Sequence, residues 1–278
     1  LPQVCWNELK EHNMPRFAAN LSMLWNELPF LERFEAASKA GFKAVEFLFP
    51  YDHPAETITQ LLKLHGMELV LHNLPPGDWA AGERGIACIP GREDEFRAGV
   101  AKAAAYAPVI GVQRWHCMAG LMPAGVSEAQ ARATWVGNVR FAAAEAEKLG
   151  LPLLIEPINT FDMPGYFVNH PRQAIALMDE VGADNVFLQY DIYHAQRMEG
   201  ELCNTIKDLL PRIAHMQLAD TPGRHEPGTG EIHHQNLFDH IDALGYTGWI
   251  GCEYKPKDAT PGGTDRGLSW VAAHGQQL

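Results

Sequence analysis

The sequence lacks any uninterrupted apolar run near the roughly 18 to 20 residues that cross a bilayer, and its mean hydropathy is −0.19. A membrane-spanning protein is therefore excluded by pattern. It lacks any Cys-x-x-Cys pair: the five cysteines, Cys5, Cys88, Cys117, Cys203 and Cys252, are scattered and odd in number. That argues for reduced thiols in a cytoplasmic protein rather than a disulfide framework or a structural zinc site. Positive charge is in deficit, with 22 Lys and Arg against 34 Asp and Glu and a net charge of −12. Such a surface repels phosphate backbones, so general nucleic-acid or anionic-membrane binding is not expected, although a locally cationic pocket stays open. The chain has no GxxxxGK[ST], HExxH or GxSxG, and the Gly228-Thr229-Gly230 turn lacks the third glycine of a dinucleotide loop. No nicotinamide or flavin cofactor is expected. There is no Pro/Gly/Ser-rich linker, low-complexity tract or repeated motif. Residues 1–13 have no secretory apolar stretch and read as a leader or added segment before Met14, with 14–278 as one domain.

Regular alternation is what the sequence does have. Short β-branched or aliphatic runs at 17–22, 44–47, 68–72, 112–118, 152–156, 186–191, 213–219 and 249–254 predict eight strands. Helical patterns lie between them at 28–40, 54–65, 93–107, 128–149, 171–181, 201–210 and 236–244. Gly41, Gly66, Gly150, Gly182 and Gly245 each stand just before a predicted strand, where a left-handed helix cap needs no Cβ. Eight β/α units in 278 residues predict an α/β protein, a single (β/α)8 TIM barrel, with an open doubly wound sheet as the alternative.

A barrel carries its chemistry at the C-terminal ends of its strands. There the sequence places Glu156, Asp191 and Glu253, with His215 and Gln217 on strand seven and His72 and His116 on strands three and four. His215, Gln217 and Ala219 share a face by two-residue alternation, so local sequence leaves open which points inward; His215 reads as structural. Glu156, Asp191, Gln217 and Glu253 together form an oxygen-rich set suited to Mg²⁺ or Mn²⁺. Three carboxylates at one mouth would raise one another's pKa unless a cation sat among them. For any single one of them, a salt bridge or helix cap is the competing explanation. His233-His234 reads as a solvated pair, and the scattered Met and Trp residues as core.

Several segments resemble one family. They are Phe17-Ala-Ala-Asn-Leu-Ser-Met23, the loop from His72 to Ala87, Ile155-Glu-Pro-Ile-Asn159, Tyr190-Asp-Ile-Tyr-His194, Gly228-Thr-Gly-Glu-Ile232 and Cys252-Glu-Tyr-Lys-Pro256. They are similar to hydroxypyruvate isomerase, a family of the xylose-isomerase-like barrel superfamily, from Met14 nearly to the C-terminus; 2-oxo-tetronate isomerase is a close relative. The superfamily also holds ketose 3-epimerases and a metal-dependent abasic-site endonuclease. The resemblance implies that Glu156 and Glu253 are the acid/base pair and that Glu156, Asp191, Gln217 and Glu253 surround the metal. It further implies metal-assisted interconversion of hydroxypyruvate and tartronate semialdehyde through an enediolate. The strand-seven position, commonly histidine in the epimerases and the endonuclease, is Gln217 here, which favours labile Mg²⁺ or Mn²⁺ over tight zinc. That missing histidine, and the absence of an Asp-x-His further on, also leave too few ligands for the endonuclease's three-metal cluster. A small hydroxy-oxo acid needs a cation for its carboxylate, and Arg84, Arg224 and Lys255 lie just beyond strand ends. Surface salt bridges are the competing role for each. His72, His116 and His194 complete the candidate substrate contacts, and the sequence leaves a non-catalytic sugar-acid binder as the reading from another class.

Overall fold

The computed structural model describes residues 15–278, so the expected leader at 1–13, and with it Cys5, lies outside the described residues. Eight parallel strands close into one barrel in sequence order. They are β1 (Arg16–Asn20), β2 (Ala44–Phe47), β3 (Glu68–Asn73), β4 (Trp115–His116), β5 (Leu153–Ile155), β6 (Val186–Asp191), β7 (Ile213–Leu218) and β8 (Trp249–Cys252). Pairing of β1 with β8, from Arg16 opposite Trp249 to Ala19 opposite Cys252, closes the ring and excludes the open sheet. Around it run α1 (Arg33–Ala40), α2 (Ala55–His65), α3 (Glu93–Ile110), α4 (Glu128–Lys148) and α5 (Pro171–Val181). They continue as α6 (Ile192–Met198), α7 (Leu202–Leu209), α8 (His234–Ala243), α9 (Gly263–Gly267) and α10 (Ser269–Ala273). Among the described residues no helix is long and apolar enough to cross a membrane.

All five expected cap glycines have positive φ, from 62° at Gly66 to 109° at Gly41. Three differences from the sequence reading have local causes. Strand four pairs only over Trp115 and His116, shorter than the expected 112–118. The helix α6 was not expected, because it begins directly after β6 with no Gly or Pro to mark it; the Asp191 side chain caps it by accepting from the Tyr193 N–H at 2.8 Å. The C-terminal α9 and α10, five residues each, are too short for periodicity to reveal.

Two hydrophobic clusters organise the interior. The large one packs the helices against the outside of the barrel. A small one, including Ala18, Ala44, Leu154 and Trp249 with Phe187 against it, fills the base of the lumen. Two residues further along these strands the inward positions become polar: Asn20, Glu46, Glu156 and Gln189. The barrel is thus apolar below and polar at the C-terminal mouth.

Glu46 is fully buried and its two oxygens take three N–H groups, from Asn20 Nδ2 (2.9 Å), Gln217 Nε2 (2.8 Å) and His215 Nε2 (2.6 Å). Its carboxylate fits because β8 carries Gly251 beside it: a Cβ there would overlap both Glu46 oxygens. Gly251→Ala is expected to destabilise the fold by about 1–3 kcal/mol, the usual cost of overpacking. Gly137→Ala, in α4 with open space around it, should instead stabilise by up to about 1 kcal/mol. Urea unfolding of the two variants checks both signs.

Candidate active site

The mouth of the barrel opens into a cavity of about 650 Å³ whose wall includes Glu156, Gln217, Glu253, His116, His194 and Arg224. Glu156, just past β5, lies with its Oε2 3.6 Å from His116 Nε2 and its Oε1 3.8 Å from His194 Nε2. The same His194 nitrogen is 3.5 Å from Asp191 Oδ2. Glu156, Asp191 and His194 thereby bring three potential ligand atoms within 4.8 Å of one another, all buried. Asp191 divides its oxygens between two tasks: Oδ1 caps α6, while Oδ2 faces the site. Across from it, Arg224 Nη2 donates to Glu253 Oε1 at 2.8 Å and stands 3.7 Å from Asp191 Oδ2.

The orientation of His194 follows from its other nitrogen. Asn159 presents its backbone N–H (3.3 Å) and its side-chain Nδ2 (2.6 Å) to Nδ1. The Asn159 amide cannot be reversed, because its Oδ1 already accepts from the N–H groups of Phe161 and Asp162. Nδ1 is therefore the acceptor of the neutral ring, and the proton on Nε2 points at the two carboxylates. Burial and the Arg224 charge hold the His194 pKa well below its usual value. Burial likewise depresses His116, to about 3.

The carboxyl groups are shifted the opposite way. Burial raises Glu253 to about 8, with Arg224 opposing the rise and the Asp191 charge adding to it. Burial raises Asp191 to about 6, again against Arg224. Glu156 is raised well above its ordinary value by burial and then by the charges of Glu253 and Asp191. Glu156 Oε1 and Asp191 Oδ2 are buried without a hydrogen-bond partner. Buried orphan oxygens on converging carboxylates are the situation that a hard divalent cation relieves, so this donor set fits Mg²⁺ or Mn²⁺.

Arg224 is delivered by a loop built on Asp220. The Asp220 carboxylate accepts backbone N–H groups of Thr221, Gly228, Gly230 and Ile232 at 2.8 to 3.1 Å. Gly230 must lack a Cβ, which would overlap the Thr221 carbonyl. The Gly228-Thr229-Gly230 turn thus wraps a side chain of its own protein. Arg84 and Lys255 also reach the cavity wall. The Arg84 guanidinium lies 3.9 Å above the Trp79 ring, and its Nη1 donates to the Trp79 and Glu83 carbonyls.

Two expectations are corrected. His72 does not line the cavity; Leu71 and Asn73 do, and His72 turns its Nδ1 to the Asn73 carbonyl at 3.0 Å, near Tyr51. Both faces of a barrel strand are buried, so apolar alternation could not set its parity. His234 is buried, not solvated, with Nδ1 3.7 Å from Asp220 Oδ2 and its ring against Phe238. Glu46 and Gln189 were missed, since a lone Glu in Ala-Val-Glu-Phe and a Gln before Tyr-Asp carry no motif. The one available signal was their position two residues beyond an apolar inward residue.

This geometry is that of a metal-assisted carbohydrate isomerase or epimerase: converging buried carboxylates, a histidine pair and an arginine paired with them at the mouth of a parallel barrel. The pattern of the xylose isomerase-like TIM barrel matches residues 34–274. The chain is 54% identical over 258 residues to hydroxypyruvate isomerase of Escherichia coli (strain K12), covering 93% of this chain and 98% of that one. It is 52% identical over 258 residues to 2-oxo-tetronate isomerase of Cupriavidus necator, with the same coverages of 93% and 98%. Among solved structures, one from Brucella melitensis described as an AP endonuclease of family 2 superposes with a TM-score of 0.89 at 47% identity, covering 94% of this chain and 99% of that one. The chain belongs to the hydroxypyruvate isomerase family of xylose-isomerase-like TIM barrels, and it is an enzyme of the isomerase type.

The raised carboxyls contribute to the pH dependence of the metal-free fold. A carboxyl whose folded pKa exceeds its unfolded value holds its proton more tightly when folded. Its contribution is complete below the unfolded value and is lost as pH rises through the folded one. For Glu253 that window runs from about 4.5 to about 8. In EDTA, the melting temperature of wild type relative to Glu253→Gln is expected to fall between pH 5 and pH 8. Added Mn²⁺ should diminish that fall, because cation binding strengthens as the ligands deprotonate. Thermal melts of both proteins at several pH values, with and without Mn²⁺, check the sign.

Proposed function

We propose that this enzyme interconverts hydroxypyruvate and tartronate semialdehyde, with Glu156 and Glu253 as acid and base. The observation that carries the reading is that two buried carboxyls line one small cavity, Glu253 raised by burial to about 8 and Glu156 raised by burial and by the charges of Glu253 and Asp191. A group that must both take and return a proton works best when its pKa lies near the working pH. The substrate and product differ in which of two adjacent carbons bears the carbonyl. One carboxylate removes the proton from the carbon bearing the hydroxyl, leaving an enediolate; the other carboxyl delivers a proton to the neighbouring carbon, and the hydroxyl proton passes to the former carbonyl oxygen, so that the carbonyl forms where the hydroxyl stood. Each contributes about 10² to 10⁴ in rate when well placed. Glu156, Asp191, Gln217 and Glu253 would hold Mg²⁺ or Mn²⁺, which when bound supplies Lewis-acid polarisation of the substrate carbonyl.

The chain's other residues orient the acid. His194 and His116, both neutral, offer ring nitrogens for substrate oxygens beside Glu156. Arg224 holds Glu253 in place and brings a positive charge to the carboxylate cluster. Arg84, stacked on Trp79, presents its remaining N–H groups as the fork for the substrate carboxylate, with Lys255 at the same cavity. Relatives named 2-oxo-tetronate isomerase, at 52% and 43% identity, support a second reading in which the substrate is a four-carbon sugar acid. Endonuclease chemistry is disfavoured by Gln217 in place of a strand-seven histidine and by the net charge of −12.

Incubation with hydroxypyruvate, 2-oxo-tetronates and ketohexoses in parallel tests the assignment. Isomerisation of hydroxypyruvate without nicotinamide, with solvent deuterium entering the product, is expected; a clear preference for 2-oxo-tetronates would move the assignment to the second reading. Glu156→Gln and Glu253→Gln should each lower turnover by at least about 10² with the fold intact by circular dichroism. Their effects should not add, since both act as a unit in one isomerisation. Near-normal turnover in either variant with metal retained would remove that glutamate from the acid/base pair. Arg84→Ala should act differently, raising KM by about 10-fold or more with kcat less affected, as loss of a charged hydrogen bond of roughly 1.5–3 kcal/mol requires.

A further inference from the structure

The floor beneath the site holds an ordered chain of polar groups, of which only Gln217 has been given a part in the proposed reaction. Glu46 on β2 reaches across the lumen to β7, where Gln217 Nε2 donates to its Oε1 at 2.8 Å. Gln217 Oε1 in turn accepts from Gln189 Nε2 at 2.6 Å, and Gln189 Oε1 is buried with no hydrogen-bond partner. Both glutamines are about 1% exposed, and both line the cavity.

An amide side chain has two ends of nearly equal shape and opposite polarity, so its direction is decided by its partners. Asn20 is fixed independently, because its Oδ1 accepts from the Ser22 N–H, which leaves Nδ2 to meet Glu46 Oε1. His215 Nε2 meets the other oxygen. Every neighbour of the Glu46 carboxylate is thus a donor. Reversing Gln217 would set an amide oxygen against a carboxylate oxygen, a repulsion that burial strengthens.

We propose that Glu46 is a positioning residue: its carboxylate fixes the direction of the Gln217 amide, and through it that of Gln189, so that the carbonyl oxygen of Gln217 is turned away from Glu46 and is the end offered to the metal. Imidazole at this place would need no such control of an amide's ends. The inference rests on Gln217 belonging to the ligand set proposed above. It adds the reason why a glutamine serves there, and it explains why β8 has glycine at 251, next to the carboxylate that does the orienting.

A double-mutant cycle read by Mn²⁺ binding tests it. Free hexaaqua Mn²⁺ is titrated by electron paramagnetic resonance against wild type, Glu46→Gln, Gln217→Ala and the double variant, with circular dichroism confirming the fold of each. Glu46→Gln should weaken Mn²⁺ binding by about 10- to 100-fold, the usual effect of losing a group that orients a ligand. In the Gln217→Ala background the same change should cost less than about 2-fold, because no amide remains to be oriented. An equal loss in both backgrounds would mean that Glu46 acts through its charge alone, and would overturn the proposal while leaving the metal set standing. Wild-type affinity in Glu46→Gln or in Gln217→Ala would overturn it as well. Failure of wild type to bind Mn²⁺ would overturn both this proposal and the metal part of the proposed function. If Glu46→Gln does not fold, Glu46→Asp, which keeps the charge but withdraws it from Gln217, takes its place in the cycle with the same expected outcomes.

Discussion

Four carboxyl groups, Glu46, Glu156, Asp191 and Glu253, share the interior and mouth of one closed barrel, and confining like charge where water is scarce is the constraint that the surrounding structure answers. The answer changes with depth. At the floor Glu46 is saturated by N–H groups of Asn20, His215 and Gln217. At the rim Glu253 is held by Arg224. Between them Glu156 and Asp191 keep one unsatisfied oxygen each. A charge satisfied by hydrogen bonds is fixed in place, whereas one left wanting is free to bind a cation or a proton. The site thus grades from scaffold to chemistry over a few strand residues.

Arg224 shows how far the fold goes to supply the opposite charge. Its backbone has φ of 55°, a conformation unusual for a residue with a Cβ, and its N–H bonds the Asp220 carbonyl at 3.0 Å. Asp220 then organises the rest of that loop through four further backbone groups. The protein as a whole carries a net charge of −12, so the cation has to be brought to the cluster locally. A short loop tied down at its base does this more reliably than a long flexible side chain on the surface.

The barrel was legible because its signals are local: a cap glycine before a strand, an apolar run of the right length, and a polar residue at its end. Glu156, Asp191 and Glu253 were legible for the same reason. What could not be read was parity and partnership. His72 and Asn73 are adjacent, and only one faces the cavity; in a strand buried on both sides no polar alternation tells which. His215 and Gln217 turned out to share the inward face, a possibility the two-residue period allowed but did not choose. Glu46 was invisible because its meaning depends on residues 171 positions away in the chain. The helix α6 is not legible because its start is marked only by Asp191, a residue that a strand-end carboxylate explains equally well.

That double use of Asp191 has a consequence for anyone redesigning the enzyme. One of its oxygens holds the first turn of α6 and the other turns to His194 and Arg224, so the two demands are wired to a single side chain. Exchanging Asp191 to suit another metal would also uncap the helix that carries His194. A library that varies this position alone would therefore confound lost affinity with a displaced histidine, and a productive search would vary the cap and the ligand together.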